Sequence, residues 1–132
     1  MRKLAIAIDG PAGAGKSSVA KILAANMGYA YLDTGAMYRA VTYEVLRQEL
    51  TEEKDIVALA AGMDMTVKPE TDAMHVIVNG HDVTDHIRTP EVSARVSAVS
   101  ALAGVRAAMV EIQRRQAAKG GIVLDGRDIG TT

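Results

Sequence analysis

The segment Gly10–Ser17, GPAGAGKS, matches the pattern G-x-x-x-x-G-K-[ST]. Gly13 and Gly15 allow backbone angles that other residues avoid, and their missing side chains let several N–H groups approach an anion. Lys16 adds a mobile positive charge, and Ser17 offers a hydroxyl to a divalent cation. The segment therefore predicts a loop that cradles the phosphate chain of a nucleotide.

The neighbours of this loop fit that prediction. Lys3–Ile8 is apolar without alternation, which is typical of a strand buried on both faces of a parallel sheet. From Lys16 to Met27 the spacing becomes helical, and Gly28 suits the end of that helix. A helix that begins at Lys16 would point the positive end of its dipole at the bound phosphates.

Two further clusters carry chemistry. LDTGAMYR (Leu32–Arg39) places a glycine at a predicted helix start, with Tyr38 and Arg39 off the apolar face of that helix. DGRDIGT (Asp125–Thr131) places an arginine between two aspartates at the end of a predicted strand, where ligands bind in α/β sheets. SALAGVR, which ends at Arg106, lies near a predicted junction between two helices.

The remaining elements position these clusters. In chain order we expect a strand at Tyr29–Leu32, a helix from Asp33 to about Leu50, a short helix capped by Thr51, an antiparallel unit at Met63–Asp85 with a hairpin turn at Asn79-Gly80, helices at Pro90–Ser100 and Gly104–Lys119, and a strand at Ile122–Leu124. Residues at helical spacing predict core stripes, which are Val19, Ile22 and Leu23, then Met37, Val41 and Val45, then Val105, Met109 and Ile112.

Composition excludes several classes of protein. The 132 residues suggest one domain, and the formal net charge of -1 gives no basic excess for non-specific nucleic-acid binding. Four Tyr, no Phe and no Trp argue against a base-stacking surface, and the absence of Cys excludes disulfides and a thiol nucleophile. No apolar run reaches the roughly 18 residues of a membrane span, so we expect a cytoplasmic protein with no nucleic-acid or membrane partner. The three His residues show no spacing typical of a metal site.

The sequence closely resembles the bacterial cytidylate kinase family, one of the nucleoside-monophosphate kinases. The motifs that carry the resemblance run along the whole chain, and they are IDGPAGAGKSS, YLDTGAMYRAV, IRTPEVS with VS, VR with RRQ, and LDGRDIGT. The resemblance implies a P-loop α/β fold with three layers, in which helices flank a parallel sheet and a small antiparallel β insert is present. It implies one domain over residues 1–132, with a monophosphate-binding region at about 34–100 that includes the insert at 63–85.

The resemblance also implies a reaction in which ATP and CMP or dCMP give ADP and CDP or dCDP, with Mg²⁺ as the metal ion. Lys16, Arg39 and Arg127 would be the catalytic residues, with Lys16 on the ATP phosphates and both arginines on the phosphate of CMP. The implied ATP site contains Gly10, Pro11, Ala12, Gly13, Ala14, Gly15, Lys16, Ser17 and Ser18. The implied CMP site contains Thr34, Tyr38, Arg39, Ser97, Arg106, Arg127 and Asp128. Ser17 and, through water, Asp125 would hold Mg²⁺.

Family chains run well past residue 132, so the resemblance implies a chain that stops after the third core strand, without the lid. We therefore expect weak or no catalysis from these residues alone, and association through exposed sheet edges although the parent protein is expected to be monomeric. Two alternatives stay open. One is a kinase of another small acceptor, such as AMP, UMP or shikimate, and the other is a nucleotide-binding module without catalysis.

Overall fold

The structure, a computed structural model, describes residues 5–9, 16–69, 74–118 and 120–126. Within these ranges the elements are β1 (Ala5–Asp9), α1 (Lys16–Met27), β2 (Ala30–Asp33), α2 (Thr34–Arg47), α3 (Glu53–Gly62), β3 (Met65–Pro69), β4 (Met74–Val78), β5 (His81–Asp82), a 3-10 turn (Thr84–His86), α4 (Pro90–Ser100), α5 (Ala103–Ala118) and β6 (Ile122–Gly126). They form two sheets, one parallel and one antiparallel. This is the α/β architecture that the sequence predicts.

The parallel sheet has the strand order β1–β6–β2. β6 pairs with both neighbours, so that Asp125 stands opposite Ile8 on one side and Asp33 on the other. Because all three strands run in the same direction, their carboxyl ends meet at one edge of the sheet. That edge is where open α/β sheets bind ligands.

Helices cover both faces of this sheet, which confirms the predicted three layers. Val123 of β6 packs with Ala20 and Ala24 of α1 on one face. The next residue, Leu124, points to the other face, where it joins Leu32 and the buried side of α2 in the larger core. The alternation follows from the two-residue period of a strand, and it explains why both faces of β6 are apolar.

The antiparallel sheet β3–β4–β5 is the predicted insert. Asn79 and Gly80 connect β4 to β5 with φ angles of 50° and 86°. Two successive positive φ angles are those of the tight hairpin turn that favours Asn-Gly. The hairpin prediction at these two residues is therefore confirmed.

Two sequence predictions about helices are wrong. Thr51 does not cap α3; the carbonyl of Glu52 accepts the first hydrogen bonds of that helix, from Asp55 and Ile56, and Glu52 occupies the N-cap. Ile22 is not a core residue, since its side chain is 61% exposed. α1 instead packs through the small residues Ala20 and Ala24, and Ile22 lies about 200° round the helix from Ala20.

No single helix among the described residues is both long and apolar enough to cross a membrane. Pro90–Ser100 and Ala103–Arg115 pass that test only when they are taken together, and they are bent by 97° at the break between them.

The packing of α3 against α5 depends on Gly104. A Cβ at this position would lie 2.5 Å from Cγ1 of Val57 and 2.8 Å from its Cγ2. Val57 is β-branched and cannot easily turn away, so the two helices can approach only because position 104 has no side chain.

We expect Gly104→Ala to lower the free energy of unfolding by about 1 kcal/mol. Overpacking costs about 1–3 kcal/mol, and the better helix propensity of alanine returns up to about 1 kcal/mol. Urea unfolding measures the change. In a Val57→Ala background, Gly104→Ala should lose most of its destabilising effect. Gly62→Ala is the matched control, because a Cβ there meets nothing within 4 Å. Equal effects at Gly104 and Gly62 would contradict the packing argument.

Candidate functional site

The site is built on the junction between β2 and α2. Asp33 is the last residue of β2 and also the N-cap of α2, where its Oδ1 accepts a hydrogen bond of 2.9 Å from the N–H of Gly35. The cap satisfies one free N–H group at the start of the helix. As a result Thr34, Tyr38 and Arg39 lie in the first two turns of α2, beside the carboxyl ends of the strands.

Arg88 reaches the same junction from the loop before α4. Its Nη2 lies 3.7 Å from Oδ2 of Asp33, and its side chain is 64% exposed. An exposed ion pair of this kind adds little stability, so its main consequence is to place a second guanidinium next to the start of α2. Arg88 is not among the residues that the sequence predicts for the site.

Arg39 joins α2 to α4. Its Nη1 donates a hydrogen bond of 2.9 Å to Oγ of Ser93 and one of 3.3 Å to the carbonyl oxygen of Ile87. The residues it contacts are 48 and 54 positions further along the chain. Arg39 is half-buried, and these two hydrogen bonds orient its guanidinium.

The 3-10 turn before α4 is tied to its surroundings on two sides. Oγ1 of Thr84 accepts a hydrogen bond of 3.0 Å from the N–H of Val76 in β4, and Oδ1 of Asp82 accepts one of 2.9 Å from the N–H of Thr84. His86 stacks on Tyr43 of α2 with ring centroids 5.5 Å apart. These contacts hold the segment that carries the carbonyl of Ile87 and Arg88.

Tyr38 and Arg106 interact electrostatically. Burial raises the pKa of the Tyr38 hydroxyl above its usual value of 10.0, and the positive charge of Arg106 acts in the opposite direction. Two residues predicted for one pocket, 68 positions apart in the sequence, therefore act on each other. Arg106 lies in the first turns of α5, and its side chain is exposed.

Thr34 and Ser97 complete the predicted acceptor residues that the structure describes. Thr34, the first residue of α2, is buried with 3% of its surface exposed. Ser97 is exposed on α4, four positions after Ser93 and hence on the same side of that helix. Thr34, Tyr38, Arg39 and Ser97 thus lie on two helices that pack together, with Arg106 close to Tyr38.

Other predicted residues lie outside what the structure describes. These are Gly10, Pro11, Ala12, Gly13, Ala14, Gly15, Arg127 and Asp128. For Lys16, Ser17, Ser18 and Asp125 only the backbone is described. It shows that α1 begins at Lys16, as predicted, and that Asp125 stands beside Asp33 in the sheet. Among the described residues no cluster of three His, Asp or Glu side chains could hold a metal ion.

Together these features define a class of protein. A strand, the G-x-x-x-x-G-K-S segment and then a helix open a parallel α/β sheet, and polar residues gather at its carboxyl edge. This is the arrangement of the P-loop nucleotide-binding proteins. The family model for cytidylate kinase matches residues 6–132, and the chain belongs to that family.

Curated relatives agree with this assignment. The chain is 51% identical to a cytidylate kinase of Desulfitobacterium hafniense (strain Y51) and to one of Bacillus subtilis (strain 168), in each case over 98% of its own length. It is 49% identical to a cytidylate kinase of Enterococcus faecalis (strain ATCC 700802 / V583) over 99% of its length. The matches cover 56% of the first of these relatives and 59% of the other two.

We expect Arg106→Ala to raise the pKa of Tyr38 further, because it removes the charge that favours the tyrosinate. NMR titration of ring-labelled tyrosine measures the shift, and Tyr38→Phe assigns the signal. Arg115→Ala, another exposed arginine of α5, is the control and should leave the signal unchanged. The pKa of Tyr38 is higher in the folded protein than in the unfolded chain. The free energy of unfolding should therefore fall as the pH rises from the unfolded pKa to the folded pKa. An unchanged Tyr38 titration in Arg106→Ala would contradict the interaction.

Asp82 gives a second pH-dependent prediction. Hydrogen bonds from the side chain and the backbone of Thr84, and then His75, lower the pKa of Asp82 from 3.8 to about 2. The carboxylate therefore stabilises the fold fully above its unfolded pKa, and this stabilisation is lost as the pH falls towards about 2. Asp82→Asn should lower the urea midpoint at neutral pH, and the difference from wild type should shrink in acid. Asp85→Asn, in the 3-10 turn that follows Asp82, is the control. A loss of stability in Asp82→Asn that is the same at every pH would contradict the prediction.

Proposed function

We propose that the protein transfers the γ-phosphoryl group of ATP to CMP or dCMP, giving ADP and CDP or dCDP. The observation that carries the proposal is the convergence of α2, α4 and α5 at the carboxyl edge of the sheet, which brings Tyr38, Arg39 and Arg106 to one region. The similar chains are named cytidylate kinases, which supports a cytidine nucleotide as the acceptor. The proposal concerns the whole protein, since this chain spans less than two thirds of their length.

Phosphoryl transfer needs positioning and neutralisation of charge more than it needs a covalent nucleophile. The acceptor is itself an anion and must approach a second anion. Arg39 and Arg127 would bind the phosphate of CMP, since the planar fork of a guanidinium matches two phosphate oxygens at once. Two hydrogen bonds already orient the guanidinium of Arg39, which would lower the entropy lost when a phosphate binds.

Ser97 and Arg106 would read the edge of the cytosine base. Cytosine presents an amine donor beside two acceptors, whereas uracil has an acceptor in place of the amine. A hydroxyl and a guanidinium can pair with part of the cytosine edge, and uracil would leave a polar group unpaired. Thr34 and Tyr38 would line the pocket that binds the CMP phosphate, and Asp128 would bind the sugar hydroxyls.

ATP would bind at the other side of the carboxyl edge, along Gly10–Ser18. The described backbone fits this role, because α1 begins at Lys16 directly after the glycine-rich segment and so directs free N–H groups towards it. Lys16 would contact the β- and γ-phosphates. Ser17 and Asp125 would hold Mg²⁺, which supplies neutralisation of the phosphate charge when bound.

Further parts of the proposal stay predictions. They are a monophosphate-binding region at about 34–100, a monomeric protein in the cytoplasm, and small molecules as the only partners. Two alternatives also remain testable, namely a kinase of another small acceptor and a nucleotide-binding module without catalysis. Acceptor selectivity separates the first from the proposal, and binding without turnover identifies the second.

We expect Arg39→Ala to weaken CMP binding to this chain by about ten- to hundredfold, because it removes charge-assisted hydrogen bonds worth about 1.5–3 kcal/mol. Isothermal titration calorimetry with CMP, cytidine, UMP and AMP measures the effect. Cytidine carries no phosphate, so its affinity should not change. Arg114→Ala, an exposed arginine on α5, is the control.

The outcomes separate the candidate functions. CMP preference over UMP and AMP, with loss on Arg39→Ala, supports the proposal. A preference for UMP or AMP over CMP would favour another acceptor. Binding of CMP together with no formation of CDP from ATP by the full-length protein would indicate a module without catalysis. Unchanged CMP affinity in Arg39→Ala would remove Arg39 from the phosphate site.

A further inference from the structure

We propose that Ser93 is a positioning residue for Arg39, holding its guanidinium so that the edge formed by Nε and Nη2 is presented to the acceptor phosphate. The inference rests on the proposed function. It deepens that function by naming a residue of α4 that acts through Arg39, without contacting the acceptor itself.

Nη1 of Arg39 is the nitrogen through which the guanidinium is held. This nitrogen carries two N–H groups, and the structure gives it two acceptors, Oγ of Ser93 at 2.9 Å and the carbonyl oxygen of Ile87 at 3.3 Å. Both hydrogens of Nη1 are therefore used within the protein. The guanidinium is held at one corner, and a planar group held by two bonds at one corner has a defined orientation.

The contacts at Nη1 leave the other N–H donors of Arg39 available to a ligand. A guanidinium has five N–H donors, and the three outside Nη1 belong to Nε and Nη2. Within the ranges that the structure describes, the hydrogen bonds of Arg39 are those of Nη1 alone. The Nε–H and one N–H of Nη2 point in parallel, which is the geometry that binds two oxygens of one phosphate. The contacts to Ser93 and Ile87 thus leave the bidentate edge intact.

The hydrogen bonds from Arg39 to Ser93 and to Ile87 differ in length. The bond to Ser93 is the shorter of the two and lies in the usual range for N–H···O, whereas the bond to the carbonyl of Ile87 is longer than that range. Ser93 is also the partner that a substitution can remove. Without its hydroxyl, Arg39 would keep one weak bond and regain rotamer freedom, which a binding phosphate would then have to restrict.

Ser93 shares its helix with Ser97, a residue of the predicted site. Ser93 and Ser97 lie on the same side of α4, one turn apart. Ser93 contacts the arginine proposed for the phosphate, and Ser97 is proposed for the base. α4 would therefore set the distance between the phosphate side and the base side of the acceptor site. The hydrogen bond between Ser93 and Arg39 would connect α4 to α2.

The test compares Ser93→Ala, Ser93→Thr and Ser100→Ala by calorimetry with CMP and with cytidine. Ser93→Ala should weaken CMP binding about three- to tenfold and leave cytidine binding unchanged. Ser93→Thr keeps a hydroxyl and should recover most of the CMP affinity. Ser100→Ala removes a serine from the same helix, outside the Arg39 contact, and should change neither ligand.

A second measurement needs no ligand. A double-mutant cycle on unfolding with Arg39→Ala, Ser93→Ala and the combined variant should show that the two single effects are not additive. An additive cycle would overturn the proposal, since the hydrogen bond would then not exist in solution. Coupling together with equal losses for CMP and cytidine would also overturn it, because Ser93 would then only tie α2 to α4.

The outcomes keep the two proposals apart. CMP binding that is lost in Arg39→Ala but unchanged in Ser93→Ala would overturn the positioning role and leave the proposed function standing. A wild-type chain that binds no CMP would refute the acceptor site in this chain, and the positioning role would fail with it, even if the unfolding cycle shows coupling. A CMP-specific loss restored by threonine would support both.

Discussion

The site depends on how sharply the chain turns from strand to helix at Asp33. This residue pairs with Asp125 in the sheet, yet its side chain already caps α2 through Gly35. Strand and helix therefore share one residue, and no loop separates them. Any residue in the first two turns of α2 must then lie beside the carboxyl edge of the sheet, which is where Tyr38 and Arg39 are found.

Local patterns predicted most of the elements that bring about this placement. The start of α1 at Lys16, the bounds of α4 and the Asn79-Gly80 turn follow from neighbouring residues alone, as caps and turns do. The wrong predictions at Ile22 and Thr51 have the opposite cause. Both residues have the right type for the predicted role, but α1 packs on the sheet through Ala20 and Ala24, and the N-cap of α3 is one residue further along, at Glu52.

The candidate site was predictable in its residue types but not in its contacts. Tyr38, Arg39 and Arg106 stand out from the sequence, whereas the partners of Arg39 lie 48 and 54 residues away and have no local signal. Nothing in the sequence marks Ser93 as a partner of Arg39. The four-residue spacing of Ser93 and Ser97, which places them on one side of α4, is the only sequence feature that links Ser93 to the site. Contacts of this kind depend on how α2 and α4 pack, which periodicity alone does not give.

Three arginines of the described residues, Arg39, Arg88 and Arg106, lie near the start of α2, and their partners differ in charge. Arg88 pairs with the carboxylate of Asp33, Arg106 acts on Tyr38, and Arg39 is bound by Ser93 and Ile87. Both hydrogen-bond partners of Arg39 among the described residues are neutral oxygens, so neither of them is a carboxylate that offsets its charge. A half-buried guanidinium such as that of Arg39 is stabilised when an anion binds to it, because the anion replaces water that burial has removed. The contacts that orient Arg39 therefore also suit it to an anionic partner, as the proposed function requires.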